Sequence, residues 1–233
     1  MNGFKFNNKH SWTDYHVYME SKSIQPPGKK KIKLDVPFMN GSYDFSTVGS
    51  SGEITYTERL VSVVISFPTK SKQQLYAQYS KALAWLQDVN KSKLIFDDIK
   101  DYYFMAEVED ASSFEEVFRF GKLHLTFVCE PFKTNINLEG GDIWDIFNFE
   151  TDVFQETAHD IVGSKTITII NTGRIISPVI NVTSPMTITI NSKTFNLITG
   201  NNTLYGLKLL NGSNSLYIVG TGKINFIYRV VKL

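Results

Sequence analysis

The sequence predicts a mainly β protein built from two bodies, and three observations carry that prediction. Apolar residues alternate with polar ones in short runs punctuated by Asn, Gly and Pro, the period of half-buried strands. A single stretch, about 71–88, has instead the three- and four-residue apolar spacing of an amphipathic helix. Charge is also segregated: 1–133 holds 17 basic and 16 acidic residues, 134–163 holds seven acidic residues and no Lys or Arg, and 164–233 holds seven basic residues and no Asp or Glu. A near-neutral front, a −7 joint and a +7 tail read as parts made to meet one another or a neighbouring subunit. The expected organisation is a β domain at 1–133, an acidic aromatic joint at 134–163 assignable to the following domain, and a small sandwich at 164–233.

In the first domain, Ile32, Leu34 and Val36 alternate with charged residues and run into an Asn40-Gly41 turn signal. Ile54, Tyr56, Val61, Val63, Ile65 and Phe67 continue the two-residue period, with a bulge expected near 57–60 and Pro68 as the stop. Leu75, Tyr79, Ala82, Leu83 and Leu86 form the helix stripe, with Ser71 as N-cap and Asn90 as stop. One such helix among strands is a lid over a barrel or sheet, since neither element buries its apolar face alone. Strands are expected at 93–96, 102–108 and 117–129, with a bulge at Gly121 and with Pro131 closing both strand and domain.

The joint carries Trp144, Phe147, Phe149 and Phe154, too many aromatics for a free linker, and so it should pack on a neighbouring surface. Beyond it, strands are expected at 166–170, 179–183, 186–190, 194–197, 204–209, 216–219 and 224–230, with Gly220-Thr221-Gly222 as a turn. Short strands at this spacing predict an antiparallel sandwich.

The sequence offers little chemistry. Its start has no apolar run of the signal-peptide kind, which sets the expectation of folding in a cytosol, and the lone Cys129 agrees with it. His10, His16, His124 and His159 are scattered and have no metal-ligand spacing. Asp97-Asp98-Ile99-Lys100-Asp101 lacks the glycine and distal glutamate of a calcium loop. Cys129 falls on the apolar face of its strand, where a thiol is inert. The acid pairs Asp97-Asp98 and Glu115-Glu116 are the first candidates for hydrolysis, and solvated faces are their default role. No catalytic, cofactor-binding or metal-binding residue is therefore assigned, and no enzyme is expected. Lys29, Lys30 and Lys31, with Lys33, form the one basic cluster, expected as the solvated tip and start of a β-hairpin. Trp144, Tyr205 and Tyr217 are the aromatics that a carbohydrate-binding sandwich would use, and such an adhesion module is the alternative function.

Several segments share a further pattern. Phe4-Lys5-Phe6-Asn7-Asn8-Lys9-His10-Ser11-Trp12 opens the chain, and Tyr56-Thr57-Glu58-Arg59-Leu60 sets a tyrosine three residues before an arginine. Leu94-Ile95-Phe96-Asp97-Asp98 precedes Tyr102-Tyr103-Phe104, and Phe120-Gly121-Lys122 leads to Cys129-Glu130-Pro131-Phe132. Ile188-Thr189-Ile190-Asn191 and Leu210-Asn211-Gly212-Ser213-Asn214 follow in the second half. In order and spacing these resemble the distal tail protein (Dit) family of siphophages infecting Gram-positive bacteria, across nearly the whole chain. The resemblance implies a β-barrel-like first domain with one helix and a projecting β-hairpin, and a galectin-like second domain. It also implies a virion protein whose six copies form a ring joining the tail tube protein to a tail-associated lysin or fibre hub and to receptor-binding components. It implies no cofactor, no membrane and no sequence-specific nucleic acid. The chain departs from extended relatives in having a short sandwich with no large inserted module. The charge segregation adds one expectation: if the acidic joint meets the basic tail domain, association weakens with salt, because exposed charges are screened within about 10 Å at 0.1 M.

Overall fold

The computed structural model describes residues 3–50, 52–117, 120–140 and 153–233. The chain divides into two compact units, Met1–Lys133 with Leu233, and Thr134–Lys232.

The first unit contains β1 (Phe4–Phe6), β2 (Lys9–His10), β3 (Tyr18–Ile24), β4 (Lys33–Asp35), β5 (Ser42–Asp44), β6 (Arg59–Pro68), α1 (Lys72–Gln87), β7 (Ser92–Phe96), β8 (Tyr102–Val117) and most of β9 (Phe120–Asn135). The main sheet runs β2-β1-β7-β8-β9-β6-β3, a curled half-barrel. β6 buries Val61, Val63, Ile65 and Phe67 and turns the intervening residues outward, as its two-residue period dictates. Its ladder against β9 is unbroken from Arg59↔Cys129 to Pro68↔Phe120, so this pairing has no bulge at residues 59–60 or at Gly121. The irregularity lies on β3 instead, between Met19 and Ser21. Gly121 answers a different need. A Cβ there would stand 2.7 Å from the Phe114 ring and 2.8 Å from Leu75, so glycine makes room for the helix and for β8.

α1 begins where expected: the Ser71 side chain accepts a hydrogen bond from the Gln74 amide at 3.3 Å. Leu75, Ala82, Trp85 and Leu86 are buried against the sheet. Trp85 is the residue that the stripe did not include. Its indole donates to the Phe6 carbonyl at 3.0 Å and stacks on Tyr15 (4.3 Å) and Phe4 (5.5 Å), so the helix is pinned to the first strand by an aromatic with a satisfied polar edge. β8 and β9 are each 16 residues long, well beyond the strands expected. Pro131 does not close β9, which runs on to Asn135.

The second unit contains β10 (Ala158–Asn171), β11 (Val179–Val182), β12 (Met186–Ile190), β13 (Lys193–Leu197), β14 (Gly200–Thr203), β15 (Gly212–Ile227) and β16 (Val231–Lys232). Gly220-Thr221-Gly222 is not a turn. β15 passes straight through it, paired to β10 along its length, while its other edge changes partner from β12 (at 217–219) to β11 (at 224–227). The glycines have φ of 149° and 142° at that changeover, and a Cβ on Gly220 would meet Met186 Cγ at 2.6 Å. The segment 204–209 is likewise not a strand. β14 lies before it, and Leu207 and Leu209 fill the core from irregular backbone.

Two buried asparagines explain those turns. Asn202 accepts from the Ile198 amide and donates to the carbonyls of Ile198, Gly200 and Ile180; Asn214 repeats the device with Leu210, Gly212 and Ile169. Each closes the turn in front of it and ties the turn to a neighbouring strand. The described ends of the joint belong to this unit. Gln155 donates to Glu139, Ile170 and Tyr228, and the Glu139 amide donates to the Tyr228 carbonyl. Trp144, Phe147 and Phe149 lie outside the described residues.

Candidate functional site

Most of the groups that sequence offered for chemistry are taken up in local structure, although the Nε2 atoms of His124 and His159 are buried without a hydrogen bond among the described residues. The His10 Nδ1 accepts from the Trp12 amide at 3.1 Å, which leaves Nε2 to carry the proton and donate to Asp97 at 3.1 Å. Asp97 also accepts from the Gly3 amide at 2.8 Å, so this pair fastens the start of β1 to the end of β7. Asp98 pairs with Lys22. Glu116 accepts from Lys72 and from the Tyr76 hydroxyl, both at 2.7 Å, and Lys72 foremost holds its carboxyl below the usual range. His124 lies 3.6 Å from Glu115. His16 packs edge-on against Trp12, and burial lowers the pKa of His159. Among the described residues no group of three or more His, Cys, Asp or Glu side chains is placed to hold a metal ion.

Cys129 and Arg59 sit side by side in the ladder, both buried. Burial pushes the thiol up to about 12, and the guanidinium opposes this only in part. Arg59 donates through Nε at 2.9 Å and through Nη2 to the Pro131 carbonyl, and lies over the Phe104 ring. Tyr56 meets Phe132 edge-on at 5.6 Å. The tyrosine and arginine of the Tyr56–Arg59 motif therefore grip adjacent residues of β9.

A further feature of the first unit is an arm, described over residues 28–50 and 52–57. Its base is closed by bonds from Thr57 N to the Gly28 carbonyl and from Lys30 N to the Thr55 carbonyl. Above the base, β4 and β5 form a ribbon joined to no other sheet, with Leu34 opposite Tyr43. Alternation then sorts its side chains. Ile32, Leu34, Val36, Tyr43 and Phe45 share one face, and Lys31, Lys33, Asp35, Ser42 and Asp44 share the other. Both faces are open to solvent. Phe38, in the tip, is fully exposed at φ 66°, and Val48 and Ile54, on the return toward the base, are exposed as well. A two-stranded ribbon is marginal in water, and among the described residues the apolar face of this one stays exposed.

Lys29–Lys31 lies at the start of this hairpin arm, as expected, but at its base and not at its tip. Lys29 bridges to Tyr56, and Lys31 is 3.4 Å from Asp44. The Ser46 hydroxyl and amide, then Lys31, hold the Asp44 carboxyl down at about 2. Of the aromatics considered for sugar stacking, Tyr205 stands fully exposed in the irregular segment after β14 and Tyr217 on the outer sheet face of β15. The exposed arm was half visible in sequence: the period of Ile32, Leu34 and Val36 marks a strand with one apolar face, but no sequence signal says what covers that face.

No protein-family model matches the chain, and no curated protein matches it. Among solved structures, the chain aligns with the crystal structure of the phage SPP1 Dit protein, described as a paradigm of the hub adsorption apparatus in phages infecting Gram-positive bacteria. That alignment covers 98% of this chain and 99% of the other, with a TM-score of 0.69 and 12% identity. Two structures of the phage P2 baseplate in its activated conformation, one with Sr and one with Ca, align over 100% and 99% of this chain and 98% of each of theirs. Their TM-scores are 0.47 and 0.49 with 9% and 8% identity, and nothing below rests on them. The chain has the fold of SPP1 Dit from end to end, which is the fold that the sequence resemblance implies.

Proposed function

We propose that this chain is a structural hub subunit of a phage tail tip. Six copies close a ring that links the tail tube to the host-adsorption apparatus, and the chain turns over no substrate. The arm is the observation that carries this reading, because it presents an apolar face that stays exposed among the described residues, on a fold shared with a phage hub protein. A ring needs a surface on each subunit that meets a different surface on the next and closes after a fixed rotation. An apolar ribbon standing clear of its own sheet suits that task, burying its side chains or adding its free edges to the neighbour. The other partners follow from the same reading: the tail tube protein on one side, and a tail-associated lysin or fibre hub with receptor-binding components on the other. The protein would then reside in the virion.

Sedimentation tests the arm. The wild-type chain is expected to self-associate, and a Leu34→Ser, Phe38→Ser, Val48→Ser triple variant to sediment as a monomer with unchanged thermal unfolding, since exposed positions tolerate polar replacement. Association carried by the arm persists in 0.5 M salt, whereas any part carried by the acidic joint and the basic segment is lost there. Self-association identical in the variant would remove the arm from the interface.

A further inference from the structure

We propose that Asn40, at the tip of the arm, is a site of spontaneous covalent modification: it closes on the Gly41 backbone nitrogen to a succinimide, which opens to isoaspartate and aspartate. This inference does not depend on the ring. The chain contains three Asn-Gly pairs, Asn2-Gly3, Asn40-Gly41 and Asn211-Gly212, and the last two continue identically into Ser42 and Ser213. Those two tripeptides have the same intrinsic chemistry, so structure decides which of them reacts.

The reaction needs only water. The Gly41 nitrogen gives up its proton to solvent hydroxide and attacks Cγ of Asn40. A C–N bond forms there, the bond from Cγ to the side-chain nitrogen breaks, and that nitrogen leaves as ammonia after taking a proton from water. Water then adds to one of the two carbonyls of the ring. Opening at Cγ yields aspartate; opening at the Asn40 backbone carbonyl yields isoaspartate, in which the main chain runs through Cβ. One water is consumed and one ammonia released, with no change in oxidation state. Glycine suits the nucleophile because no Cβ crowds its nitrogen.

At the arm tip nothing opposes this step. Asn40 and Gly41 are both exposed, in the connection between β4 and β5. The turn bond of that connection, from Met39 N to the Val36 carbonyl at 3.2 Å, stops short of them. Among the described residues no hydrogen bond holds the Asn40 side chain or the Gly41 amide, and a Cβ placed on Gly41 would meet nothing within 4 Å. The other pairs are held. The Asn211 side chain donates to the Gly173 carbonyl at 2.6 Å, and Gly212 is locked between Asn171 in the β10–β15 ladder and the Asn214 side chain on its carbonyl. The Gly3 amide donates to the Asp97 carboxylate at 2.8 Å. Each of these must open locally before it can react. At the tip, conversion puts a carboxylate two residues from the fully exposed Phe38, so the arm changes charge with age and without an enzyme.

Peptide mapping by mass spectrometry tests this on the full-length chain held at pH 8 and 37 °C for two weeks, beside a sample kept unfolded in 6 M guanidinium. In the native chain Asn40 is expected to convert at least tenfold faster than Asn211. In the unfolded chain the two rates should agree within about threefold. Isoelectric focusing should show an added negative charge in the aged native chain. Asn40→Gln, whose side chain would have to close a larger ring, should lack that charge at unchanged thermal unfolding. Asn40 left intact in the native chain while it converts in the unfolded one would overturn the proposal. So would equal native rates at Asn40 and Asn211, or an undiminished acidic shift in Asn40→Gln.

Discussion

Cys129 illustrates how position governs chemistry at the scale of one residue. Its thiol is held at about 12 by burial, against an ordinary value near 9. Because the folded-state pKa is raised, the neutral thiol favours the fold at and below pH 9, and that contribution is lost as pH climbs from about 9 toward about 12. A maleimide reagent at pH 8 is therefore expected to leave the native chain unlabelled and to label it stoichiometrically in 6 M guanidinium; rapid labelling of the native chain would refute the burial. The position of Cys129 on the apolar face was legible from the alternation of Leu123, Leu125 and Phe127. The role of Arg59 beside it was not, because its acceptor is a backbone carbonyl 72 residues away. No side-chain pattern encodes a carbonyl. The same holds for Trp85, whose partner is the Phe6 carbonyl.

At the scale of elements, local signals were read well where they answer to local physics. The helix begins at its Ser71 cap and ends at Gln87 because cap chemistry and 3.6-residue periodicity are contained within the segment. Glycine was read too narrowly in two places for one reason. At Gly121, which has no bulge in its pairing with β6, and in Gly220-Thr221-Gly222, where no turn forms, it marks close approach by another element, and sequence alone does not reveal which residue approaches. Gly220→Ala tests that account, since the new methyl would collide with Met186 at the changeover between β12 and β11. We expect a loss of about 1–3 kcal/mol in the unfolding of the second unit, read by urea denaturation. Alanine at the neighbouring Thr221, which is exposed, should change it by less than about 0.5 kcal/mol. Equal effects at the two positions would show that the glycines are ordinary strand residues.

For the whole molecule, the pieces fall into two kinds. Acids and histidines that might have formed a reactive centre instead fasten strands: His10 with Asp97, Lys22 with Asp98, and Lys72 and Tyr76 with Glu116. Ile32, Leu34, Val36 and Phe38 of the arm, by contrast, stay exposed among the described residues: apolar content says how much there is and not where it stands. Charge segregation pointed toward assembly, and the described contacts at the ends of the joint include hydrogen bonds made by Gln155, by the Glu139 amide and by Arg229 to the Asn135 carbonyl. From the side-chain pattern alone function was legible only as surfaces for assembly, and the resemblance of ordered segments added the tail-hub fold that the alignment with SPP1 Dit shows. Native mass spectrometry of the full-length chain at concentrations up to several hundred micromolar tests the central claim most directly. The account predicts a closed assembly of six copies that dissociates when the arm carries serine at 34, 38 and 48; a chain that stays monomeric throughout, with or without those changes, would contradict it.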